Sequence, residues 1–346
     1  MSHLFLASMC PFVSLLLAPA HMAGQTPRSG TKVNPVASNW TPPRTPDGQP
    51  DLQGIWTNAT LTPLERPPAL AGKQVLTQAD AAEYEKQRLQ QENRDLRKGL
   101  GEVVAYNELW YDRGTRVVGD WRTSLIVDPP DGRVPPLTLE AQKRVDAERA
   151  YARLHPADGP EDRPLAERCI LWPTAGPPML PGPYNNNYQI VQAPGYVVIL
   201  VEMIHEARII PTDGGPRLLP SIRQWMGDSQ GHWESNTLVV ETTNFTGKTS
   251  DLSAGMQQLT FRGSDENLHL IERFTRVDPD TILYEFTIDD PTAFTKPWTA
   301  QIPMTKFQGP LLEYACHEGN YALTGILAGA RAEEKKAEEA ARKGSK

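Results

Sequence analysis

A chain of 346 residues is long enough for one large domain or two ordinary ones, and it can bury a sizeable core. Its formal charge of −7 is spread along the chain until the last fifteen residues, and no basic stripe of the kind that selects a phosphate backbone occurs, which argues against a nucleic-acid partner. Proline, at 32 residues, is about twice its usual share, and hydrophobic content is 39%; together these favour strands, turns and extended connectors over a helical bundle.

The first 23 residues carry the apolar run "LFLASMCPFVSLLLA" followed by Ala18-Pro19-Ala20, a small-residue cleavage site, so residues 1–23 read as a secretory signal peptide. The pattern departs from the usual one because no Lys or Arg precedes Arg28. The run is broken by Pro11 and is shorter than the ~20 residues of a membrane span, so no stable membrane insertion is expected once the signal is removed. Residues 24–50 are rich in Pro, Thr, Ser and Gly and read as a leader that is disordered or draped on the surface.

The folded part starts near "DLQGIW". Residues 51–168 read as a helical and extended flank with two charged helices, one over 76–99 opened by Thr77 with Asp80 three residues on, and one over 138–154. Residues 169–325 read as the β-rich core. Here "NYQIVQAPGYVVILVEMIHEARIIPTDGG" is two β runs around Pro194-Gly195, "HWESNTLVVETTNF" is a hairpin turning at Ser235-Asn236, and "LHLIERFTRVDPDTILYEFTIDDP" is a hairpin turning at 278–280. "WTAQIPMTKF", "LLEYACHEG" and "TSLIVDPPDGRVPPL" add further strands. The expected fold is therefore mainly β, an antiparallel meander closed as a barrel or stacked as a sandwich, with two or three flanking helices. Residues 326–346 read as a charged, solvated C-terminal tail.

The wording of "TSLIVDPPDGRVPPLT", "PGYVVILVEMIHEARIIPTDG", "GDSQGHWESNTLVVETTNF" and "ERFTRVDPDTILYEFTIDDP" resembles a group of uncharacterised exported proteins of soil acidobacteria and some proteobacteria. The resemblance covers most of the chain after residue 40 and implies export; it implies no site residues. "GIW" (Gly54 to Trp56), opening a meander, is similar to the Gly-x-Trp start of lipocalin-type barrels.

With the signal removed, Cys169 and Cys316 remain, and in an exported chain two cysteines are most simply a disulfide. "GDSQG" (Gly227 to Gly231) matches the Gly-x-Ser-x-Gly elbow of one hydrolase fold, but that elbow follows a strand and opens a helix, whereas this stretch precedes a hairpin. It reads as a polar turn with a structural Ser229, while Asp228 and His232 stay as candidate catalytic groups. His205 is the third. If residues 196–210 form one regular strand, His205 stands alone among apolar residues on one face, which suits a buried imidazole base, and Glu202 and Arg208 lie on the other, which would be a polar pocket where it lines a barrel mouth. "PGPYNNNYQ" supplies Tyr184 and Asn186, an aromatic ring and an amide of the kind that hold a sugar or other polyhydroxylated ligand; Glu202 and Arg208 complete the expected substrate contacts. His205, His232, His269 and His317 lack close His-x-His or His-x₃-His spacing, so no metal ligands are assigned, although a divalent metal stays possible. No dinucleotide or phosphate-cradling glycine motif occurs. The expected function is an exported hydrolase or lyase acting on a glycan or plant-derived small molecule; the alternative is a non-catalytic lipocalin-like protein binding a small apolar or sugar-like ligand.

Overall fold

The computed structural model describes residues 40–96, 107–172, 174–248 and 266–344. The expected signal peptide and most of the leader lie outside these residues. In chain order the elements are β1 (Gly54–Thr57), α1 (Gln78–Glu92), β2 (Ile126–Asp128), α2 (Leu139–Leu154), β3 (Asn187–Ala193), β4 (Tyr196–Val201), β5 (Ala207–Pro211), β6 (Asp228–Glu234), β7 (Thr237–Thr243), β8 (His269–Asp278), β9 (Thr281–Asp289), β10 (Trp298–Lys306) and α3 (Tyr321–Gly344). The helix starts follow the caps: Thr77 and Asp80 form a reciprocal capping box on α1, and the Thr138 hydroxyl accepts from the Ala141 amide on α2. α1 ends at Glu92, short of the expected Gly99, which lies outside the described residues.

The ten strands among the described residues all join one antiparallel sheet in the order β5-β4-β3-β1-β10-β9-β8-β7-β6, with β2 also on β10. β1 pairs with Thr305–Lys306 and β2 with Thr299–Ala300, so the stretch 51–168, besides its helices, fills the edge of β10 that β9 leaves open. The sheet curls into a nearly closed barrel, as the meander pattern allows. Its two edge strands meet without a ladder of backbone hydrogen bonds. Side chains bridge this seam instead: Arg208 on β5 donates to Ser229 on β6 at 3.2 Å, and Gly231 on β6 lies so close to Ile210 and Thr212 that an added Cβ would sit 3.1 and 3.2 Å from their methyl groups.

Three strand expectations are corrected. Residues 196–210 are not one strand: β4 stops at Val201, a 3-10 turn spans Met203–His205 with Ile204 at φ 60°, and β5 returns from Ala207. The turn reverses the alternation, so Arg208 points into the barrel beside Ile199, with which it pairs, and His205 belongs to the turn rather than to a strand. "GDSQG" is not wholly a turn, since only Gly227, at φ 69°, serves one, and Asp228 already belongs to β6. "LLEYACHEG" forms no strand; 307–316 is an extended strap after β10.

The barrel is filled by its own side chains. Trp56, Tyr188, Ile199, Phe274, Tyr284, Phe286 and Trp298 are buried, each large apolar group contributing about 1.5–3 kcal/mol by leaving water. Among them lies an ion pair whose side chains are 2% and 0% exposed: both terminal nitrogens of Arg208 donate to Glu272, one at 3.0 Å, and the Tyr284 hydroxyl donates to the same carboxylate at 2.8 Å. Burial alone would lower the basicity of Arg208, but Glu272 outweighs it and holds the guanidinium above its ordinary value; burial, then Glu272, raises the Tyr284 phenol well above its own. Residues 175–180 are buried and pack into the barrel core as a plug, with the Met179 amide donating to the Tyr284 oxygen at 3.0 Å, and 181–186 lead from them to the start of β3 at one mouth. Gly176, at φ 98°, is needed here because a Cβ would stand 2.9 Å from Met179 Cγ.

Cys169 and Cys316 form a disulfide, with a Cα–Cα distance of 5.7 Å, tying the chain just before the plug to the strap after β10. The tail is helical: Arg331 of α3 donates to the Ala157 and Asp158 carbonyls. Among the described residues no helix is long and apolar enough to cross a membrane.

Candidate functional site at the plugged mouth

The loop of 181–186, which leads from the plug into β3, is closed by one side chain. Asn186 accepts from the Gly182 amide at 2.6 Å and donates back to the Gly182 carbonyl at 3.1 Å, while Asn185 takes a left-handed φ of 55° that asparagine tolerates. The same Asn186 Nδ2 reaches Asp112, donating to Oδ1 and to the backbone oxygen, each at 3.2 Å. Asp112 is delivered from the other side by close backbone packing. Gly114, at φ 85°, presses on Ala59 and Thr60 so tightly that an added Cβ would lie 2.9 Å from their backbone atoms, which brings 111–113 against the chain leaving β1.

Asp112 is partly exposed, yet its carboxyl is pushed up to about 6, first by burial and then by the Glu202 carboxylate, against the lowering effect of the Asn186 bonds. Glu202, at the end of β4, is 4% exposed; it accepts from Asn187 Nδ2 at 2.7 Å and from the Leu312 amide of the strap at 2.9 Å. Asn58 Nδ2 donates to the Tyr188 hydroxyl at 3.3 Å, and that hydroxyl donates to the Thr174 carbonyl just ahead of the plug at 3.2 Å. Burial holds the Tyr188 phenol well above its ordinary range, so it stays neutral.

Three partly exposed rings stand beside this acid. Tyr111 meets Tyr184 edge-on at 6.0 Å, Trp172 lies against Tyr184 at 5.8 Å, and the Arg113 guanidinium covers Tyr111 at 4.5 Å. Several polar atoms here are buried with no hydrogen-bond partner among the described residues: Trp172 Nε1, Asn58 Oδ1 and Asn187 Oδ1. Unsatisfied buried groups cost about 1–3 kcal/mol each, and they concentrate at sites that complete their bonding with water or a ligand.

Of the residues expected from sequence, Tyr184, Asn186 and Glu202 meet here. Arg208 does not; it is the buried partner of Glu272. Asp228 and His232 lie on the outer face of β6, where Asp228 accepts from the Leu218 amide and the exposed His232 pairs with Glu234. Ser229 points the opposite way, into the barrel, and bonds Thr242 and Arg208, so no acid–imidazole–hydroxyl relay forms. The turn carrying His205 follows Glu202, but its side chain lies outside what the structure describes. Sequence reasoning missed Asp112, Tyr111, Trp172 and Asn58. The signal was thin: "YDRG" places an acid beside an aromatic ring and ahead of a glycine, a pattern that ordinary loops share. Among the described residues no three His, Cys, Asp or Glu side chains gather as a metal site would require.

The molecule is thus a nearly closed, plugged antiparallel barrel whose plugged mouth carries a raised acid and an aromatic platform. Comparison with protein-family models, with curated proteins and with solved structures found no match to this chain.

Proposed function

We propose that this protein is an exported enzyme, a hydrolase or lyase that acts on a glycan or a similar polyhydroxylated plant-derived molecule at the plugged mouth, with Asp112 as its general acid–base. The observation that carries the reading is a partly exposed carboxyl raised to about 6 beside a platform of Trp172, Tyr184 and Tyr111. A group titrating there can both hold and release a proton near neutral pH, and aromatic faces cover the apolar face of a sugar ring. Trp172 Nε1 offers a hydroxyl group a buried donor. The Cys169–Cys316 disulfide and the apolar N-terminal run before Ala18-Pro19-Ala20 support a periplasmic or extracellular location. A lipocalin-like use of the barrel interior is less well supported, because Trp56, Trp298, Tyr284 and the plug occupy that space.

The test is a panel of oligosaccharides and plant glycosides, followed for new reducing ends, for unsaturated products and for tryptophan fluorescence. Turnover is expected to fall at least ~100-fold in D112N, as for loss of a general acid–base, with binding retained; W172A is expected to weaken binding. A substrate that the wild type turns over and D112N turns over equally well would refute the assignment. Binding without turnover, unchanged in D112N, would make the mouth a receptor site.

A further inference from the structure

Two neighbouring asparagines each hold one carboxylate: Asn186 Nδ2 donates to Asp112 at 3.2 Å, and Asn187 Nδ2 donates to Glu202 at 2.7 Å. The two acids are therefore braced on one short stretch of chain, Asp112 partly exposed at the plugged mouth and Glu202 beneath the strap. Glu202 is 4% exposed and cannot touch a substrate. Its two described donors, Asn187 Nδ2 and the Leu312 amide, are both neutral, so these bonds orient its carboxylate without cancelling its charge. One buried donor, a second from the strap and the strap itself are more than a solvated surface acid needs, and the disulfide at Cys316 anchors that strap.

From this geometry we infer that Glu202 is a positioning residue, a buried acid braced on the same stretch of chain as Asp112, whose role is to keep Asp112 in its proton-donor form. The inference rests on the reading of Asp112 as the acid–base group. Like charges held close disfavour a second ionisation, and Glu202 is, after burial, the larger of the influences that raise Asp112. Of the described groups near Asp112, Arg113 and Tyr188 are engaged elsewhere. The Arg113 guanidinium is committed to Glu108 at 3.0 Å and lies 3.6 Å from Glu92, and the Tyr188 phenol is neutral.

Glu202→Gln isolates the charge. The new amide keeps an oxygen for the Leu312 amide, and Asn187, whose Oδ1 is buried without a partner, can turn its own amide so that this oxygen accepts from the substituted side chain. The variant should fold normally. The experiment is a carbon-detected NMR titration of the Asp112 carboxyl, assigned by its disappearance in D112N. The wild-type midpoint is expected at about 6, and in E202Q it is expected to fall by about 1 pH unit, the usual scale for a nearby charge. An unmoved midpoint in folded E202Q overturns the role of Glu202 and leaves Asp112 as it stands. A wild-type midpoint in the ordinary carboxylate range overturns the reading of Asp112 itself. Should E202Q not fold, E202D retracts the charge by one methylene; a smaller downward movement supports the inference, and an unmoved midpoint overturns it.

Discussion

The barrel interior and its plugged mouth both bury carboxylates, and they do so in opposite ways. Inside, Glu272 receives both terminal nitrogens of Arg208 and the Tyr284 hydroxyl, while Ser229 and Thr242 extend the network. At the mouth, Asp112 and Glu202 are held by the neutral amides of Asn186 and Asn187, and Glu202 adds to the burial that raises Asp112. A buried charge in direct contact with its countercharge is architecture, even with Arg208 Nε lacking a partner among the described residues; a partly buried acid beside a second acid, with unpartnered donors and acceptors nearby, is a group whose protonation can change.

Breaking the interior pair gives the largest expected effect. R208M leaves Glu272 buried without its cation and should cost about 3–5 kcal/mol in urea unfolding; a loss under 1 kcal/mol would mean that the pair is solvated. The disulfide comes next. Reduction, or C169S/C316S, should cost about 2–4 kcal/mol, since the bond closes a loop with a sequence separation of 147, and it should loosen the strap over Glu202, seen as faster hydrogen exchange at the Leu312 amide. G114A should cost about 1–3 kcal/mol, because its φ of 85° and the 2.9 Å approach to Ala59 and Thr60 leave no room for a methyl group. It should lower activity more than stability alone explains, as Asp112 shifts with the loop. S229A is the smallest: about 0.5–1.5 kcal/mol for one lost hydrogen-bonding group, with activity unchanged. Abolished activity in folded S229A would restore the hydrolase elbow.

The difference between the regions also explains what the sequence revealed. Hairpins with polar turns, Ser235-Asn236 and Pro279-Asp280, announce themselves because alternation and turn chemistry are local. The capping box on α1 is local too. The Cys169–Cys316 bond followed from cysteine arithmetic alone. The turn at Met203–His205 was hidden, since "MIHEA" continues an apolar alternation and carries neither Gly nor Pro, yet Ile204, buried in the core, takes φ 60°. That single missed turn misplaced Arg208 and His205 together. Tyr184, Asn186 and Glu202 were legible as polar groups at a strand entrance. Asp112 was not, because it reaches them only through the Gly114 contact with Ala59 and Thr60, and no local pattern encodes a contact across that many residues.

The central claim, that the mouth holds an acid poised near neutrality, is tested most directly by comparing the unfolding free energy of the wild type with that of D112N from pH 3 to pH 8. Asp112 is raised in the folded protein, from 3.8 to about 6, so the native state binds the proton more tightly than the unfolded chain. Its contribution is fully present below the unfolded value and is lost as pH rises through the folded one. The two proteins should therefore match in the pH dependence of stability below about 4, diverge between about 4 and 6, and differ by about 1–2 kcal/mol in favour of D112N above that, after allowance for the partial exposure of the group. A difference that stays constant across the whole range, or that favours the wild type more as pH rises, would contradict the account.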